Sequence, residues 1–145
     1  MHAHEVKRAF IFCSDPRVKL RKAVEQQLVL PGERVIALSW LGGPIALSNR
    51  EILPSDFAFI MNQISFLRRK FPTTTEINPV GHKCGYYENV SAESVNIERM
   101  EEDLVKAAFM IMATFDGIRS VPYYAHDIDG NGHDFDFKEL TAANI

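Results

Sequence analysis

The sequence predicts an α/β domain, with a mostly parallel central sheet of four or five strands flanked by helices. Three observations carry this. Short unbroken apolar runs, Ala9 to Cys13 above all, suit strands covered on both faces. Segments with apolar residues at helical spacing alternate with those runs. The strong hairpin signal, Asp129-Gly130-Asn131-Gly132, comes only near the C-terminus.

The elements follow in order. Ala9 to Cys13 reads as a buried strand ended by Ser14-Asp15-Pro16. Arg17 to Leu28 carries Val18, Leu20, Val24 and Leu28 among charges and reads as a helix, stopped by Pro31-Gly32. Arg34 to Ser39 is a second buried strand, and Trp40 to Pro44 a loop whose glycines permit unusual backbone angles. Pro54-Ser55-Asp56 starts a helix with Phe57, Ile60, Ile64 and Leu67 on one face. Its last turn holds Arg68-Arg69-Lys70, cations that suit a helix C-terminus.

Glu76 to Val80 is a third strand, although Pro79 removes a ladder donor. A long helix is expected from Ser91 or Ser94 to Asp116, stopped by Gly117, with Val95, Met100, Leu104, Ala107, Ala108 and Ile111 on its apolar side. Val121 to Ile128 is a strand, and His133 to Phe137 completes a hairpin with it.

Composition narrows the function classes. The chain has 145 residues, 46% hydrophobic and 24% charged, which suits one globular domain over 1–145. A net charge of −3 gives no basic field to hold nucleic acid. No stretch approaches the roughly 20 apolar residues that span a bilayer, so no membrane partner is expected. The N-terminal residues lack the apolar core of a signal peptide. Two cysteines are too few for a disulfide scaffold. The expectation is a cytoplasmic protein with reduced thiols.

Open α/β sheets build their sites at the carboxyl ends of strands. Two such ends carry chemistry here: Cys13-Ser14-Asp15-Pro16-Arg17 and Gly81-His82-Lys83-Cys84-Gly85. Cys13, His82 and Cys84 supply two thiolates and an imidazole, a donor set for tetrahedral Zn2+ with one position left over. Zinc lowers the pKa of a bound water toward 7. Asp15 is placed to accept a hydrogen bond from that water or to be the fourth ligand, and Arg17 to grip Asp15 through both carboxylate oxygens. Each residue also has a plainer reading. Cys13 suits a core, Asp15 a helix cap, Arg17 a surface, and His82 and Cys84 one side of an extended segment. A thiol nucleophile at Cys13 with His82 as base and Asp15 as orienting group is a further reading, but it leaves Cys84 idle.

These residues carry a resemblance. Cys13 to Arg17 resembles the C-x-D-x-R signature of the β-carbonic anhydrases. Gly81 to Gly85 resembles that family's G-H-x-x-C-G, with one residue, Lys83, where the family has two. Trp40 to Ala46 sits where the family has a glycine-containing loop, although Leu41-Gly42-Gly43-Pro44 differs from its usual alanine-glycine-asparagine. Tyr123 to Phe137 resembles the family's last strand and tail. The resemblance implies zinc on Cys13, His82 and Cys84, with Asp15 and Arg17 as catalytic dyad. It implies reversible hydration of CO2 to bicarbonate by a zinc-bound hydroxide, with the Gly85 amide on a substrate oxygen. It also implies a homodimer or higher homo-oligomer. A relative acting on COS or CS2, or on nothing, follows the same zinc logic.

A reading from a different class is calcium. Asp127-Ile128-Asp129-Gly130-Asn131-Gly132 matches the opening of an EF-hand loop, but the twelfth position is Lys138, with Glu139 one place late. His2 and His4 form an H-x-H pair, and His126 and His133 flank the hairpin.

Overall fold

A computed structural model describes residues 5–15, 18–83 and 97–141. Its strands are β1 (Arg8–Cys13), β2 (Val35–Trp40), β3 (Glu76–Gly81), β4 (Tyr123–Asp127) and β5 (Phe135–Glu139). Its helices are α1 (Leu20–Gln27), α2 (Pro54–Lys70) and α3 (Ile97–Thr114), with a 3-10 segment at Gly43–Ser48. The expected helix start at Ser91 or Ser94 lies outside the described residues.

The strands form one five-stranded mixed sheet in the order β2-β1-β3-β4-β5. The β1–β2, β1–β3 and β3–β4 pairs are parallel, and β5 returns antiparallel to β4. Strand β1 suits an interior position because its side chains are apolar on both faces. Ala9 and Ile11 pack with Ile60, Ile64 and Leu67 of α2 and Ala107 and Ile111 of α3. Phe10 and Phe12 pack on the opposite side with Leu20, Ala23 and Val24 of α1. The result is three layers, helix on sheet on helix.

Strand β2 departs from the expectation of a buried strand. It is the sheet's edge, and all six of its residues are half-buried. Its apolar run covers one neighbour only. Helix α1 also starts later than expected, at Leu20, with Lys19 as its cap and no side-chain capping bond.

Pro79 is tolerated inside the sheet for a visible reason. The Ile77 N–H donates to the Arg119 carbonyl at 2.9 Å. Strand alternation therefore turns position 79 to the same side, and the donor Pro79 lacks belongs to the β4 side. There the ladder opens between the Glu76–Arg119 bridge and the Val80–Tyr123 pair. The fully buried Asn78 fills the gap, its Oδ1 accepting from the Val121 N–H at 2.8 Å and its Nδ2 donating to Glu76 at 2.8 Å.

Arg8, at the start of β1, ties three segments. It donates through Nε to Glu33 at 2.7 Å and through Nη2 to the Leu28 carbonyl at 2.8 Å, and lies 3.8 Å from Glu76. The hydrogen bond from Arg8 holds the Glu33 carboxyl below its ordinary value. No helix among the described residues is long and apolar enough to cross a membrane.

Two outcomes are expected. Asn78→Leu keeps the volume but leaves the buried Val121 N–H unpaired, so urea unfolding should show a loss of about 1–3 kcal/mol. Glu33 has a depressed folded-state pKa, so its contribution is present above its unfolded value and disappears as the pH falls through the folded one. Glu33→Gln should therefore lose about 1–3 kcal/mol near pH 7 and match the parent in strong acid, as read by denaturation midpoints across pH.

Candidate metal centre

β1 and β3 are adjacent and parallel, so their carboxyl ends open at the same edge of the sheet. Cys13 continues the alternation of Ala9 and Ile11 and lies buried among Ile45, Met100 and Leu104. The loop after β2 closes over it. Gly42 and Gly43 have φ of 86° and 55°, the left-handed region in which glycine alone is unstrained. A Cβ on Gly43 would stand 2.7 Å from the Cys13 nitrogen and 2.8 Å from the Phe12 carbonyl carbon. Only a glycine lets this loop lie against the end of β1.

Trp40 locks the loop by donating its indole N–H to the Gly43 carbonyl at 2.6 Å. The Gly42 N–H in turn donates to the Cys13 Sγ at 3.4 Å. An N–H aimed at sulfur favours the thiolate, the form that binds metal.

At the end of β3, Gly81 is pressed against α3, where an added Cβ would meet Leu104 at 2.7 Å. The next residue, His82, is buried, and its Nε2 has no hydrogen-bond partner among the described residues. A buried ring nitrogen without a partner is costly, and in native proteins such atoms call for a ligand or a water. His82 and Cys13 line one pocket with about 10 Å³ of free space, closed by Ile45, Val80, Met100 and Leu104. That is about the room of a single water. Sulfur and imidazole donors in an apolar shell suit zinc.

Asp103 of α3 lines the same pocket, and the sequence reading did not single it out. Burial pushes its carboxyl above the ordinary aspartate value, against the opposing pull of Lys106 and of a hydrogen bond from Asn49. The signal was present: Asp103 lies three residues after Met100 and four before Ala107, both buried on the inward side of α3. A carboxylate at such a position is unusual enough to flag.

Cys13 and His82 therefore line the same pocket. Asp15 is half-buried just past the strand end and does not line the pocket. Its carbonyl accepts from the Val18 N–H at 3.1 Å, and it does not cap α1. Arg17, Cys84 and Gly85 lie outside the described residues, as do His2 and His4. Among the described residues alone, no three His, Cys, Asp or Glu side chains form a metal-holding group.

The Asp127–Gly132 segment is a hairpin loop. It is entered from strand β4 and not from a helix, and the Gly132 N–H donates to Asp127 Oδ2 at 2.7 Å. His126 pairs across the hairpin with Asp136, not with His133.

Comparison of the chain with protein-family models, with curated proteins and with solved structures finds no match.

Asp103 yields a stability signature. Its folded carboxyl keeps a proton to higher pH than in the unfolded chain. Its contribution is therefore favourable in acid and is lost as the pH rises through the raised value. Asp103→Asn should be more stable than the parent near neutral pH, by of the order of 1 kcal/mol, with the gain vanishing below the ordinary aspartate range. Thermal or urea unfolding at pH 3 and pH 7 reads this directly.

Proposed function

We propose that this chain is a zinc protein that catalyses the reversible hydration of CO2 to bicarbonate, as its resemblance to the β-carbonic anhydrases implies. The observation that carries the reading is the buried Nε2 of His82, without a hydrogen-bond partner among the described residues, in the wall of the pocket that also holds Cys13. Cys13 and His82 would hold the metal, with Cys84 as the third donor that the second motif supplies. Zinc, when bound, supplies the Lewis acidity that makes water a nucleophile near neutral pH.

The chain's own residues do the rest. The Gly42 N–H, 3.4 Å from the Cys13 Sγ, would support that sulfur as a metal donor. As the resemblance implies, Asp15 would accept a hydrogen bond from the reacting water and so aim it, and Arg17 would orient Asp15. Asp15 is also the residue that would supply a fourth donor to the metal. The resemblance implies that the Gly85 amide would take a substrate oxygen.

The same reading makes the protein a cytoplasmic homodimer or larger homo-oligomer. The half-buried edge strand β2 and the exposed Leu41, Phe59 and Phe66 support a self-association surface.

One observation favours a second reading. The pocket's free space of about 10 Å³ leaves no room for a linear triatomic beside a metal. A zinc-holding relative without turnover agrees better with that tightness, since COS and CS2 are linear triatomics larger than CO2.

Metal content and CO2 hydration measured on one tag-free sample, purified under reducing conditions, test both. One zinc per chain with turnover is the expected result. Zinc without turnover selects the second reading, and failure to take up zinc overturns both. Cys13→Ser should lose metal and activity together, whereas Asp15→Ala should keep zinc and lose at least about a hundredfold in rate.

A further inference from the structure

A groove of about 710 Å³ runs between α3 and the turn that follows the 3-10 segment, a size common among small-molecule sites. Its lining includes Ile52 and Phe109, which are 49% and 54% exposed. Large apolar side chains left open in a concavity mark a contact waiting for an apolar body. Arg50 and Lys106 also line the groove, and both are exposed. Among the described residues neither forms an ion pair. Arg50 lies over the Phe57 ring at 5.0 Å, which restrains its guanidinium without neutralising it. Glu51 is the one carboxylate in the lining, so cations outnumber anions there in a chain whose net charge is −3.

Apolar walls with a local excess of cations are complementary to one ligand class. A bare inorganic anion makes no use of Ile52 and Phe109, and a neutral hydrocarbon makes none of Arg50 and Lys106. We propose that this groove binds a small organic carboxylate, its head on Arg50 and Lys106 and its apolar body on Ile52 and Phe109. Asn49 lines the groove and also hydrogen-bonds Asp103 in the wall of the Cys13–His82 pocket. The ligand would thus adjoin the candidate metal centre without depending on it.

The test uses the full chain in metal-free form, so that its outcome is independent of the zinc reading. Octanoate is titrated in while backbone amide NMR shifts are followed, with acetate and octanol as controls. Saturable binding with shifts centred on Ser48–Ile52 and Lys106–Met110 is expected, with acetate and octanol each weaker by about tenfold or more. The double variant Arg50→Gln/Lys106→Gln should lose at least about tenfold in octanoate affinity while its amide spectrum elsewhere stays unchanged. Both residues are exposed, so the variant is expected to fold. Octanol binding as tightly as octanoate, shifts centred elsewhere, or undiminished affinity in the double variant would each overturn the proposal.

Discussion

Strand β1 has protein on all four sides. β2 and β3 bond its two edges, α2 and α3 cover one face, and α1 covers the other. Its core residues, Phe10, Ile11 and Phe12, are at most 1% exposed. Burial of side chains of this size contributes about 1.5–3 kcal/mol each. Both faces can be buried only if helices lie on both sides of the sheet, and parallel neighbours on both edges require crossover connections. The layered architecture is the arrangement that satisfies this one strand.

The candidate centre inherits its position from the same strand. Cys13 is the last residue of β1, and the alternation that buries Ala9 and Ile11 also buries its sulfur. His82 arrives beside it because β3 is the parallel neighbour of β1 and ends at the same edge. The glycines tune the closeness: Gly43 lets a loop rest on the end of β1, and Gly81 lets α3 approach β3. The outcome is a small apolar chamber holding a sulfur, a ring nitrogen and, nearby, a carboxyl group.

That chamber runs against stability. An imidazole nitrogen without a partner among the described residues and a carboxyl pushed up by burial are both unfavourable in an apolar core. At Pro79, by contrast, the buried Asn78 side chain pairs the Val121 N–H. A ring nitrogen without a partner among the described residues, beside a sulfur in one apolar chamber, is the physical mark of a site shaped for something besides folding.

Local pattern was enough to read β1, α2 and the terminal hairpin, because each carries its periodicity, its stop and its turn chemistry within a few residues. Helix α2 runs from Pro54 to Lys70 as the sequence predicts. The pairing of Cys13 with His82 was legible too, since residues at the ends of strands in such a sheet gather at one edge. What sequence could not decide were matters of neighbours. An apolar run such as β2 looks the same at an edge as in the middle, and only the sheet order exposes it. The place of Pro79 depends on which side its missing N–H would have faced. Asp103 and Asn49, far apart in the chain, meet only because α3 packs on the 3-10 segment. The sequence determined which segments must be buried, because hydrophobic burial and backbone conformation act locally along the chain. The tertiary structure decided which polar groups are buried with them, because desolvation depends on what the rest of the chain brings alongside.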